Sequence, residues 1–272
     1  MLLMRTRVVA FTIAAIFLVS LAAVPLASAA SIPDGQKWAL LIGISDYGPY
    51  AGYGDLTYCH KDALDMYKLL VKEGWMPSHI KVLLNESATR ANIVAGISWL
   101  CANSVRGMAL FFYSGHGSFF ADKWAVPNKD ESNDQCIMPY DSDLGDYSTL
   151  IFDDQLRDYF AACKASQTVM IFDCCYAAGQ IDELGKKGRL IMAGSDVHQM
   201  SYEGDMRGCN IPIENGVYTY CILQAMTGAG DENGDGVVSL EEAAAYAAIA
   251  VQEYTQNVRA VTYDGIAGEV YL

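Results

Sequence analysis

Five short apolar runs limit what this chain can fold into: WALLIGIS at 38–45, IKVLL at 80–84, MALFFY at 108–113, TVMIF at 168–172 and LIMAG at 190–194. Each is short for a helix and almost wholly apolar, the pattern of a strand covered on both faces. Helical spacing fills the gaps. Segment 56–73 carries Leu64, Tyr67, Leu70 and Val71 on one face with Gly74 just beyond, and Thr89 stands as the cap of a helix ending near Asn103. Further helices are expected at 154–163, 216–226 and 239–254. Strands alternating with helices predict an α/β fold of three layers, with a mostly parallel central sheet of about six strands. Segment 268–272 is the expected sixth strand, and the polar stretch 118–149 is long enough to be functional or to carry its own hairpin.

Arg5 and Arg7 precede an uncharged apolar stretch that ends in Ala27-Ser28-Ala29, so 1–29 reads as a signal peptide and 30–272 as one exported domain. Without those arginines the formal charge deepens from −14 to −16, which argues against nucleic-acid partners; no membrane partner is expected once the leader is removed. The 52% apolar content supplies a sizeable core. The eight cysteines are irregularly spaced and mostly lie in apolar segments, as buried free thiols do, leaving open one or two bridges with Cys209 among the candidates.

Two of the runs end abruptly in small residues around one reactive side chain: FFYSGHG at 111–117 around His116, and MIFDCCYAAG at 170–179 around Cys175. Ligands bind at the carboxyl ends of parallel strands, so adjacent strands would present a thiol and an imidazole at one rim. A cysteine near pKa 8.5 needs a base to become a thiolate, and His116 can take that proton and pass it to a leaving amine. The backbone N–H groups of Gly117 and Cys175 are expected to hold the oxyanion. Alternation places Asp173 and Cys175 on one face and leaves the rival thiol, Cys174, as packing.

In these strings the chain resembles the caspase-like cysteine peptidases, and among them the metacaspases: YSGHG matches at 113–117, and the D-x-C-H-S-G string matches at 173–179 with Tyr176 in place of His and Ala177-Ala178 in place of Ser. The resemblance implies a caspase-like sandwich, with a large-subunit-like part at about 37–182 and a small-subunit-like part at about 189–272. It implies a pocket for basic P1 residues of protein or peptide substrates, drawn from Cys59, Asp62, Ser114 and Asp173. Two carboxylates and a hydroxyl suit a guanidinium. It also implies a calcium site on Asp134, Asp153, Asp154 and Asp182, and self-cleavage near Lys186, Lys187 and Arg189.

A second Ca2+ candidate stands without the resemblance. DENGDGVVSLEE at 231–242 fits the twelve-residue calcium loop, with Asp231, Asn233, Asp235, the Val237 carbonyl and Glu242 as ligands. The expected activity is that of a secreted, calcium-dependent cysteine endopeptidase cleaving after Arg or Lys. Two alternatives stay open: a legumain- or clostripain-like peptidase or transpeptidase with another P1 preference, and a catalytically silent calcium-binding module.

Overall fold

The computed structural model describes residues 32–33, 36–49, 52–121, 133–204 and 213–272. The leader at 1–29 and Cys209 lie outside the described residues. A six-stranded sheet runs through the centre, built from β1 (Lys37–Gly43), β2 (Ile80–Leu84), β3 (Met108–Ser114), β7 (Gln167–Asp173), β8 (Arg189–Ala193) and β9 (Val261–Asp264), in the order β2-β1-β3-β7-β8-β9. The first five strands pair in parallel and β9 closes the edge antiparallel to β8. Alternation splits each strand between two cores. Leu41, Leu110 and Phe112 pack on one face, and Leu40, Ile42, Phe111 and Phe172 on the other.

The first core is covered by α1 (Cys59–Lys72), α5 (Val217–Gln224) and α6 (Leu240–Thr255) through side chains such as Met66, Ile222 and Val251. The second lies under α2 (Arg90–Asn103) and α3 (Asp153–Tyr159), with Ile97, Leu100 and Leu156. The expected cap forms, with Thr89 Oγ1 accepting Asn92 N–H at 3.3 Å, and Ser239 and Glu242 cap α6 reciprocally. The 118–149 stretch carries a small antiparallel sheet, in which β5 (Asn133–Ile137) pairs with β4 (Gly117–Ala121) and β6 (Ile151–Phe152). A short α4 (Gln180–Leu184) follows the nucleophile loop.

Two sequence expectations need correction. The buried face of α1 is Cys59, Asp62, Ala63, Met66, Leu69 and Leu70, while Leu64 and Val71 are each 37% exposed. Counting large apolar residues misled because the helix turns an acid, Asp62, toward the sheet. The last strand is β9, and 268–272 is not a strand. There the Val270 N–H goes to Glu241 at 2.9 Å and its carbonyl accepts Leu240 N–H at 2.8 Å, so this segment caps α6.

β1 ends hard against the start of α1. A Cβ at Gly43 would stand 2.3 Å from the Cys59 carbonyl oxygen, a backbone atom that yields only if α1 moves. Gly43→Ala is expected to lower stability by about 1–3 kcal/mol, read from the urea midpoint. An unchanged midpoint would mean that α1 is free to shift.

Candidate active site

β3 and β7 pair in register with Ser114 opposite Asp173, so His116 and Cys175, two residues further on in each segment, emerge at one end of the sheet. Both line one small cleft, about 40 Å³ in free volume. His116 Nε2 lies 2.8 Å from the Gly54 carbonyl. As a carbonyl only accepts, the hydrogen sits on Nε2 and Nδ1 is left as the basic nitrogen. The Tyr47 and Tyr53 rings hold the imidazole, each 4.8 Å away between centroids. Burial, the largest influence, pushes the His116 pKa down, against the Gly54 bond and the charges of Glu203 and Asp55. Burial likewise pushes the Cys175 thiol up, and Asp173 adds to the rise. Both shifts favour the neutral thiol and imidazole over the ion pair.

The nucleophile loop is fixed from several sides. Tyr176 has φ +58°, a left-handed conformation rare for an aromatic residue. Its N–H donates to the Gln199 carbonyl at 2.8 Å, and its ring meets Phe119 edge-on at 4.9 Å. Ser195 Oγ accepts Ala177 N–H and donates to the Cys174 carbonyl at 2.9 Å. Cys174 is 2% exposed and packs in the core, as strand alternation requires. Gly117 lies so close to the loop that a Cβ there would sit 2.3 Å from the Cys175 oxygen. The two backbones expected to hold the oxyanion therefore touch.

The four expected pocket residues come together beside the dyad. Cys59, Ser114 and Asp173 line the cleft, and Ser114 Oγ donates to Asp62 Oδ2 at 2.7 Å. Asp62 is 0% and Asp173 4% exposed. Asp62 also accepts from Asn215 Nδ2 at 2.9 Å and Gly216 N–H at 3.0 Å. Asp173 accepts from Ser201 Oγ at 2.7 Å and from Thr219 N–H and Oγ1 at 2.9 and 2.8 Å. Burial raises both pKa values, and for Asp62 the charge of Asp173 adds to it. A Cβ at Gly216 would stand 2.3 Å from Asp173 Oδ2, so only glycine allows the close approach. The residues that sequence reading missed are Gly54, Ser201, Glu203, Asn215, Gly216 and Thr219. Most act through backbone groups or across long sequence separations, which leave no local signal.

Comparison with known families settles the lineage: residues 36–259 match the family model of the caspase domain, Peptidase_C14. The chain belongs to the caspase-domain family. Among its relatives, metacaspase-1 of Cryptococcus neoformans is 30% identical over 168 residues, 54% of this chain and 34% of that one. Metacaspase-1 of Plasmodium falciparum is 33% identical over 162 residues, covering 55% and 25%. An inactive metacaspase-4 of Trypanosoma brucei is 28% identical over 161 residues, covering 55% and 43%. The chain thus spans a quarter to under half of these relatives. A crystal structure from Geobacter sulfurreducens, 18% identical, superposes with a TM-score of 0.61 over 85% of this chain and 94% of its own, which supports the fold. Within that family, the relatives it resembles over about half of its own length are metacaspases.

Elsewhere in the caspase domain the acidic groups are less convergent. Asp134, Asp153 and Asp154 are buried around β5 and α3, whereas Asp182 is exposed on α4. Asp153 accepts Gln135 N–H at 3.2 Å, and Arg157 bridges Asp154 to Glu183. A guanidinium thus lies between Asp154 of α3 and Glu183 of α4. In the 231–242 loop, Asp231 accepts the N–H groups of Gly234, Asp235 and Gly236, while Asn233 accepts that of Asp235 at 2.8 Å. Glu242 accepts from Ser239 N–H at 2.9 Å. Among the described residues no three His, Cys, Asp or Glu side chains converge as metal ligands. At the expected self-cleavage segment Lys186 and Lys187 are exposed, but Arg189 is buried at the start of β8, donating to the Leu184 and Phe160 carbonyls. Arg189 is therefore closed to cleavage in the folded chain.

Two measurements test this site. Cys175→Ala is expected to reduce turnover by at least about 10³-fold, while Cys174→Ala keeps it within about tenfold and lowers stability. Alkylation of Cys175 by iodoacetamide should climb only above the ordinary thiol range near pH 8.5, because burial disfavours the thiolate. A rate plateau at low pH would instead reveal a preformed ion pair.

Proposed function

We propose that the chain is an endopeptidase that hydrolyses peptide bonds after Arg or Lys. The observation that carries this reading is a pair of buried carboxylates: Asp173 lines the cleft that also holds His116 and Cys175, and Asp62 lies behind that wall, bonded to Ser114 Oγ. A guanidinium or ammonium entering there relieves the repulsion between the two acids, whereas an Asp side chain would add a third negative charge. In the reaction His116 Nδ1 takes the Cys175 proton as Sγ attacks the scissile carbonyl. The oxyanion is held by the Gly117 and Cys175 N–H groups. Collapse of the tetrahedral adduct breaks the C–N bond, and the departing amine takes its proton from His116. Water, deprotonated by His116, then hydrolyses the thioester and restores the thiol.

Calcium enters this proposal at the 231–242 loop. Asp231, Asn233, Asp235 and Glu242, with the Val237 carbonyl, would hold the ion, and its chemistry there is to tie α5 to α6. The curl of the loop around Asp231 supports it. Asp235→Ala combined with Glu242→Ala should abolish any rise in thermal midpoint on adding calcium; a rise that survives the double change places the ion elsewhere.

The deciding experiment is a scan of P1 reporters. Arg and Lys reporters should be cleaved fastest, and Asp62→Asn or Asp173→Asn should raise their KM at least about tenfold, the worth of one buried charge-assisted hydrogen bond. Faster cleavage after Asp or Asn would sink the specificity. The raised carboxylate pKa values add a pH signature: the acids are neutral at low pH and charged above their raised values. KM for Arg reporters should therefore fall as pH rises through that range, and a flat KM would show a pair ionised throughout.

A further inference from the structure

We propose that Glu203 is a positioning residue that locks together the two loops orienting His116 and Cys175. It lies on the strap 201–204, which forms an antiparallel bridge from Glu203 to Gly216 and is pinned by Val217 N–H on the Tyr202 carbonyl at 2.8 Å. From there its carboxylate accepts Thr57 N–H at 2.5 Å and Tyr58 N–H at 2.7 Å, with the Cys59 thiol 3.8 Å away. Tyr58, the residue before α1, supplies no side-chain cap, so the helix takes one from a residue 145 positions away.

What the carboxylate grips is the loop that ends in Thr57 and Tyr58, and the Gly54 carbonyl on the same loop fixes the His116 ring. That loop is otherwise tied by Leu56 N–H on the Ser45 carbonyl and by Asp55 on Tyr47 N–H. On the strap side, the Ser201 carbonyl faces Cys175 Sγ at 3.9 Å and Ser201 Oγ holds Asp173. One side chain therefore couples the base, the nucleophile and the pocket floor across the cleft. The groups facing His116 are the Glu203 and Asp55 carboxylates, the Tyr47 and Tyr53 rings and, across the cleft, Cys175.

This assignment rests on the peptidase reading but not on its P1 preference. The test uses Glu203→Ala, Glu203→Gln and Glu203→Asp in the full chain, assayed with every P1 reporter that the parent cleaves, together with iodoacetamide alkylation of Cys175 followed by peptide mass. Misplacing reacting groups by an ångström lowers rates by about 100-fold, so Glu203→Ala should lose about that in kcat, and Glu203→Gln about tenfold, with KM changing less than about threefold for all reporters. Removing a negative charge beside both members of the dyad should also move the acid limb of kcat/KM and of alkylation to lower pH in Glu203→Gln, and Glu203→Asp should restore it. If the alanine variant does not fold by circular dichroism, the same comparison is read from the glutamine variant. A KM increase confined to Arg and Lys reporters, with kcat and the acid limb unchanged, would make Glu203 a wall of the pocket and overturn the assignment. So would a lower thermal midpoint with unaltered kinetics. Basic reporters failing in the parent enzyme would defeat the specificity alone, because the kcat and acid-limb effects are read on whichever reporter is cleaved.

Discussion

Two carboxylates buried side by side are unfavourable unless the surrounding chain supplies hydrogen bonds, and much of the architecture around the cleft follows from that requirement. Asp62 draws Ser114 from β3, together with Asn215 and the Gly216 N–H from the segment before α5. Asp173 draws Thr219 from α5 itself and Ser201 from the strap. α5, one of the three helices over the first core, is thereby keyed to the sheet by polar contacts as well as by apolar packing. Removing either acid leaves its donors without acceptors in a dry site, so the pocket floor is also part of the scaffold.

The parallel strands were legible because continuous burial writes short apolar runs, and β2 and β3 fall within a residue of their expected bounds. His116 and Cys175 were legible because small residues crowd the point where each run stops. The face of α1 was not, since periodicity looks for large apolar side chains and this helix buries Asp62 beside Ala63. The edge strand β9 was misplaced because four alternating residues carry little signal, whereas 268–272 had the composition of a strand and is used to cap α6. The Gly54 carbonyl and the Gly216 N–H lie beyond any reading of side-chain types, since every residue has such groups and only the fold selects these two.

The nucleophile loop shows how a family pattern tolerates change. Tyr176 departs from the expected histidine, yet its N–H reaches Gln199 and its ring settles on Phe119 of β4. The left-handed turn is a backbone requirement, and the side chain that occupies it is placed outside the cleft's chemistry.

The register of β3 against β7 has a consequence for how such a site can change over evolution. Ser114 and Asp173 are ladder partners, and His116 and Cys175 follow each by two residues. The proposed pocket and the His116–Cys175 pair are thus placed by a single row of backbone hydrogen bonds, and a change that slips this row would disturb both together. New preferences cannot easily arise from the two strands that hold the reactive groups. They are more accessible through the pieces that arrive from elsewhere, the first helix, the strap and the segment before α5, where a substitution can reshape the pocket while the ladder keeps the dyad in place.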